Sequence, residues 1–249
     1  MSHHYADDGR ILTPPKELEP LLKGSFPAFS EMIGHIRFFY VADEIWDGKT
    51  SLIFSASGGQ IVSVALDDDV FYVHAAGKTF RIVDESSLSA VFDQLEKTCG
   101  NYRRPSEQLT IDPNGFPCGY RCDMCILNKI NNESDTLEAE KFDYMNWVCY
   151  HNCLENVEVE RGNRKEVYVC PGCEAVRQSN PKYCRYVNCA AEKGYGNCVE
   201  CGNHHSCDEC GDSHYPGQCS LGISADEVTK LVVPYYMKWR LDIWSNTHY

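Results

Sequence analysis

Fourteen of the fifteen cysteines lie between Cys118 and Cys219, a stretch of 102 residues, and no other feature limits the fold as strongly. Cysteine at that density has few physical explanations: the sulfurs pair with one another or they hold metal. The run opens as Cys118-Gly-Tyr-Arg-Cys122-Asp-Met-Cys125 and continues through Cys149-x3-Cys153 and Cys170-Pro-Gly-Cys173. Then come Cys184-x4-Cys189, Cys198-x2-Cys201, Cys207-x2-Cys210 and Cys219. The first residues, Met-Ser-His-His-Tyr-Ala-Asp-Asp, have neither the basic start nor the apolar stretch of a secretory signal. No window reaches the ~18 consecutive apolar residues of a membrane span. A cytoplasmic location is therefore expected. Reducing compartments keep thiols free, and there a cysteine pattern of this kind points to metal rather than cross-links. An odd count of fifteen agrees with that reading.

Two thiolates separated by two residues can grip one ion, because the turn between them aims both sulfurs inward, and four such ligands complete the tetrahedral shell of zinc. Cys122/Cys125, Cys170/Cys173, Cys198/Cys201 and Cys207/Cys210 have that spacing. At four ligands per ion, the fourteen cysteines fill three sites with two left over, so two or three zinc ions are expected. The candidate ligands are Cys118, Cys122, Cys125, Cys149, Cys153, Cys170, Cys173, Cys184, Cys189, Cys198, Cys201, Cys207, Cys210 and Cys219. His151, His204, His205 and His214 can replace a thiolate, although a plain polar role is commoner for each. Cys118-x3-Cys122-x2-Cys125 also equals the spacing that holds a 4Fe–4S cluster in radical S-adenosylmethionine enzymes. Met124 stands where those enzymes usually carry an aromatic residue, and no alternation of strands and helices follows. The radical chemistry is set aside, while an iron–sulfur cluster without it stays open as the alternative to zinc. An enzyme with an open metal position ranks third.

Charge restricts the partner. The whole chain carries a formal −13, and residues 118–219 hold 16 acidic against 10 basic side chains, a formal −6 before any thiolate. A nucleic-acid reader needs a basic face to displace counterions from phosphate. Arg161, Arg164 and Lys165 are the one local basic knot, and Glu155, Glu158, Glu160 and Glu166 surround it. Another protein is the expected partner; nucleic acid and membrane are not.

The fold class expected is α+β: an antiparallel meander with flanking helices, then a loop-rich cysteine-dense metal-binding domain with a C-terminal helix. Residues 1–98 contain no cysteine, and turn-rich Asp112-Pro-Asn-Gly-Phe-Pro follows, so domains are placed at 1–105 and 115–249. A short helix interrupted by Pro20 is expected at 14–23, and a second helix at about 27–38 with Phe29, Met32, Ile33 and Ile36 on one face. Four β-rich runs follow at 51–55, 61–66, 70–75 and 79–83, parted by Gly58-Gly59, Asp67-Asp68-Asp69 and Ala76-Gly77. Ser86 or Ser87 is the expected cap of a helix through Leu88, Val91 and Leu95. His35 and His74 read as core-edge or surface residues, and Asp67–Asp69 as a charged hairpin tip.

Beyond the boundary, Ser134 or Asp135 is expected to cap a helix to about Tyr150, which would bring Cys149 and Cys153 onto one face. Arg161-Gly-Asn163 is read as the turn of a β-hairpin that delivers Cys170-Pro-Gly-Cys173. Asn188–Lys193 reads as a short helix ended by Gly194. Ser224-x-x-Glu227 is a capping box; it opens a C-terminal helix that Pro234 breaks or restarts.

These motifs carry a resemblance. Cys118-Gly119-x2-Cys122-x2-Cys125, Cys170-x-Gly172-Cys173 and Cys184-x4-Cys189-Ala190-x2-Lys193-Gly194-x3-Cys198-x2-Cys201, then Cys207, resemble a cysteine-rich family of unknown function found in bacteria and archaea, often anaerobes. The pattern covers about residues 115–210. Cys149, Cys153, Cys210 and Cys219 fall outside it, and Val187 stands where Arg is expected. The resemblance implies metal binding through these cysteines and no established activity. Trp46-Asp-Gly-Lys with Phe71-x-Val and Gly77-Lys78 faintly resembles a second, small bacterial family of unknown function, which implies no chemistry.

Overall fold

The computed structural model describes residues 4–5, 10–13, 15–57, 59–111, 121, 123–124, 136–137, 158–161, 164–168, 172–179, 185–198, 200–201 and 220–248. They fall into two compact units, one of Met1–Arg104 with Tyr215–Thr229, the other of Pro105–His214 with Lys230–Tyr249. The fold is α+β.

The first unit begins with a ribbon of β1 (His4–Tyr5) and β2 (Ile11–Leu12). A 3-10 turn, Pro15–Leu18, leads into α1 (Glu19–Leu22), whose first turn contains Pro20. Pro20 therefore starts a helix rather than interrupting one, since a missing N–H costs nothing in a first turn. After the 3-10 turn Lys23–Ser25 comes α2 (Phe26–Phe39). Five antiparallel strands follow in sequential order: β3 (Asp43–Trp46), β4 (Ser51–Ala56), β5 (Gly59–Asp67), β6 (Val70–Ala75) and β7 (Lys78–Ile82). The last four are the expected runs, and the turns explain them. Ala76 and Gly77 have φ of 47° and 76°, so both central residues are left-handed, which matches the twist of the flanking strands. Asp69, at φ 66°, serves the β5–β6 loop, where Lys23 reaches Asp68 and Asp69 at 3.2 and 2.9 Å.

One sheet face is apolar and closed. Leu52 and Phe54, Val62 and Val64, and Phe71 and Val73 alternate inward and share a core with Phe29, Met32, Ile33 and Ile36 of α2. Phe29 meets Phe71 edge-on at 5.5 Å. The 3-10 turn Glu85–Ser87 leads into α3 (Leu88–Thr98), which adds Leu88, Val91 and Leu95 to this core. The cap is Asp84, whose carboxylate accepts from the Ser86 N–H, so the helical path begins one turn earlier than the serines suggest.

Strand β3 is not among the four expected runs, and its inward residues explain why. Glu44 and Trp46 point inside, and Glu44 is 2% exposed. A buried carboxylate survives because Arg37, also 2% exposed, grips it with Nε at 2.6 Å and Nη2 at 2.8 Å. The same Arg37 Nη2 donates to the Ser220 carbonyl at 2.7 Å, and the Gly222 N–H donates to Glu44 at 3.2 Å. Residues 220–229 thus lie along this unit as a strap. Leu221 bridges Thr13, the Glu44 N–H donates to the Ile223 carbonyl, and Arg10 forks onto Glu227. Arg104 donates to the Arg37 carbonyl and to Thr229 Oγ1, so the same helix end holds both the departing and the returning chain. The capping box expected at Ser224 and Glu227 is present in full.

In the second unit, α4 spans Ser106–Leu109, and β8 (Thr136–Leu137), β9 (Glu158–Arg161) and β10 (Arg164–Tyr168) form a sheet in the order β8-β10-β9. The expected pairing is there: Arg161 lies opposite Arg164 in antiparallel register. Thr136–Leu137 corrects the start of the helix expected from Ser134 or Asp135, because these two residues pair with Val167 and Tyr168 instead. Cross-strand hydrogen bonds to β10 outweigh a helical preference that β-branched Thr136 serves poorly. Positions 138–150 lie outside the described residues. Helices α5 (Cys173–Ser179) and α6 (Arg185–Glu192) follow, and a 3-10 turn Val233–Tyr235 precedes α7 (Met237–His248). Pro234 restarts the C-terminal helix. Fully buried Arg240 supports this corner by donating to the carbonyls of Gln108, Val233 and Pro234.

Candidate metal centre

Four of the fourteen candidate ligands fall on described residues: Cys173, Cys189, Cys198 and Cys201, each half-buried and none in a disulfide. Cys118, Cys122, Cys125, Cys149, Cys153, Cys170, Cys184, Cys207, Cys210 and Cys219 lie outside them, as do His151, His204, His205 and His214. Among the described residues no three Cys, His, Asp or Glu side chains gather closely enough to hold an ion. Cys99 has a different character. It is 2% exposed in the core of the first unit, and burial pushes its thiol pKa up, so it is a packing residue.

Local structure sets each described thiol. Gly172 has φ +95°, a positive φ that glycine adopts cheaply, and Cys173 is then the first residue of α5. Cys189 sits in α6 between the buried Val187 and Ala190. Helix α6 ends as expected at Gly194, φ +74°. The Gly194 N–H donates to Ala191 and the Tyr195 N–H to Ala190, the paired bonds of a Schellman end, and they turn the chain toward Cys198.

The Cys198-x2-Cys201 turn is framed by polar groups that the cysteine spacing does not announce. The Glu200 N–H donates to Asn197 Oδ1 at 3.1 Å, and Asn197 Nδ2 donates back to Glu200 Oε1 at 2.9 Å. The Gly196 N–H donates to Glu200 Oε2 at 2.8 Å, and Arg177 of α5 holds the Gly196 carbonyl at 3.0 Å. A Cβ at Gly196 would stand 3.1 Å from Glu200 Oε1, so the small residue leaves room for the carboxylate. Asn197-x-x-Glu200 has capping-box spacing, which is the sequence signal for this frame.

A comparable frame lies beside Cys122. Arg121 forks onto Asp123 at 2.8 and 2.6 Å, and its guanidinium also donates to the carbonyls of Glu107 and Thr110. Arg121 holds the Asp123 carboxyl below its ordinary pKa. The Met124 N–H donates to the Arg121 carbonyl at 2.9 Å.

Residues 116–212 match the model of a family described as a protein of unknown function (DUF3795). Over that stretch the chain is similar to a family of unknown function. The searches of curated proteins and of solved structures found no match. Among the described residues no helix is long and apolar enough to cross a membrane.

Proposed function

We propose that the cysteine-rich segment is a structural metal domain that holds two or three zinc ions through its thiolates and serves a scaffold that binds another protein. The supporting observation is the set of four Cys-x2-Cys pairs, one of which, Cys198/Cys201, lies outside any disulfide in a turn framed by side chains. That donor set suits zinc: soft, anionic and closely spaced. Zinc would supply a redox-silent cross-link between segments with little apolar core of their own, and its binding energy would be folding energy.

The acidic balance of residues 118–219 favours a protein partner over nucleic acid. A second reading has its own observation: Cys118-x3-Cys122-x2-Cys125 is the spacing of a 4Fe–4S ligand triad, which would make the chain a redox or electron-transfer protein. An enzyme with an open metal position follows only if a site has three protein ligands. Metal analysis of protein prepared without oxygen decides among them. Two or three equivalents of zinc in a colourless protein indifferent to dithionite support the first reading. Near-stoichiometric iron and acid-labile sulfide, with absorbance that bleaches on reduction, would replace it with the second.

A further inference from the structure

The two framed turns have a shared construction. In each, the residue before the first cysteine of a Cys-x2-Cys pair accepts the N–H of the residue before the second. Arg121 does so with its carbonyl for Met124 at 2.9 Å, and Asn197 with its side chain for Glu200 at 3.1 Å. In each, a carboxylate is tied to that leading residue, Asp123 to Arg121 and Glu200 to Asn197. In each, a guanidinium fastens the frame to another element through carbonyls, Arg121 on Glu107 and Thr110, and Arg177 on Gly196.

From this we infer that Asn197 and Glu200 are positioning residues that set the Cys198-x2-Cys201 turn in its ion-gripping form. The inference rests on the metal reading proposed above and adds which side chains set ligand geometry. A thiol pair on an unconstrained turn must lose backbone freedom when an ion arrives, at roughly 1–2 kcal/mol per residue fixed. Here three hydrogen bonds join residues 196, 197 and 200, so bonds within the turn offset part of that loss when the segment folds around its ions. Asn197 is 7% exposed, which shields its bonds from competition by water. Glu200 accepts from the Gly196 N–H and from Asn197 Nδ2, so its carboxylate is committed to the frame. Groups that orient metal ligands typically matter by about 10- to 100-fold in affinity.

The test uses the full chain and Co²⁺, a tetrahedral probe that reports thiolate ligation by charge-transfer absorbance, in competition with a chromophoric chelator. Asn197→Ala and Glu200→Ala should each weaken one class of bound ion by about tenfold and leave the other ions unchanged. Asn197→Ser and Glu200→Gln keep an acceptor oxygen and should stay within roughly threefold of the parent chain. Glu200 is exposed, so its variants fold even if truncation at the buried Asn197 perturbs the unit. If both alanine variants bind Co²⁺ as tightly as the parent, or if the serine and glutamine variants lose as much as alanine, the positioning role is wrong while metal binding stands. A parent chain with no thiolate-to-cobalt band would overturn the metal reading itself, and this inference with it.

Discussion

The two units are held by different means, and the difference lies in how far along the chain each stabilising contact reaches. In the first unit, apolar strands and helices bury a continuous core, and its buried ion pair draws in a carbonyl 183 residues away. In the second, the contacts that shape the turns around the described cysteines are mostly local: a Schellman end, an Asn–Glu frame and a left-handed glycine, each within six residues, with Arg177 reaching from α5 to the Gly196 carbonyl. Local motifs shape a turn but bury little, and on the reading proposed above bound ions add folding energy there. That contrast yields its largest test. Removing metal with a strong chelator should unfold residues 118–214, because apparent binding energies of structural zinc are about 10–16 kcal/mol. The first unit should keep its protease resistance. Unchanged proteolysis across the whole chain after complete metal removal would erase the distinction.

The next effect probes the strap. Glu44→Ala leaves Arg37 buried without its carboxylate, and breaking such a pair costs about 3–5 kcal/mol. The same variant frees the Gly222 N–H, so residues 220–223 should become the first amides to exchange hydrogen. A chain cut after Arg104 lacks Leu221, Ile223 and Val228 from its buried set and should melt well below the intact protein. Supplying residues 215–229 as a peptide should restore part of that loss. A Glu44→Ala protein with a parental urea midpoint would show that the long-range clamp is ornamental.

Legibility followed the same division. The meander could be read because alternation and turn residues are neighbours in sequence: Val62, Val64 and Leu66 face inward, and Ala76-Gly77 closes the next hairpin. Strand β3 could not, since its inward Glu44 imitates a surface residue until Arg37 and Gly222 are placed beside it. The role of Ser220-Leu-Gly-Ile223 was invisible for that reason too: four ordinary residues gain meaning from Thr13, Arg37 and Glu44. In the cysteine-rich segment the spacings and the helix stop at Gly194 were legible. Asn197 and Glu200 were hidden beside the cysteines that each precedes, although their spacing is a capping signal. Which thiols share an ion depends on tertiary placement, and spacing alone does not encode it.

A pH effect distinguishes the first unit again. His35 stacks on Phe92 with ring centroids 3.8 Å apart, near Phe39 and Tyr40, and burial, aided by the Arg103 charge, lowers its pKa to about 4. Arg103 is itself paired with Glu96, which accepts from the Tyr40 hydroxyl. The folded state therefore keeps the imidazole neutral at pH values where the unfolded chain, with an ordinary pKa near 6.5, protonates it. Stability from this residue is complete above pH ~6.5 and falls as pH drops toward ~4, by about 2 kcal/mol between pH 7.5 and 5. His35→Phe keeps the stack and removes the proton site, so the difference between parent and variant in urea midpoints should shrink as pH rises. Parallel pH profiles for the two proteins would place His35 outside the titrating set.

The smallest effect comes from two glycines that share a backbone conformation but not a neighbourhood. Gly222, φ +86°, lies where an added Cβ would sit 2.3 Å from the Ile11 carbonyl oxygen, so the strap or β2 must move to admit alanine. Gly194, φ +74°, has nothing within 4 Å of its would-be Cβ. Alanine there meets only the intrinsic penalty of the left-handed region, about 1 kcal/mol. Gly222→Ala adds a backbone clash to that penalty and should cost clearly more. The measured quantities are the thermal midpoint of the first unit for Gly222→Ala and the Co²⁺ affinity of the full chain for Gly194→Ala, whose helix end turns toward Cys198. A long-range fold feels the larger disturbance, and a locally framed turn the smaller one. Equal costs at the two glycines would mean that the strap yields as easily as a helix terminus, and the contrast between the units would lose its clearest structural basis.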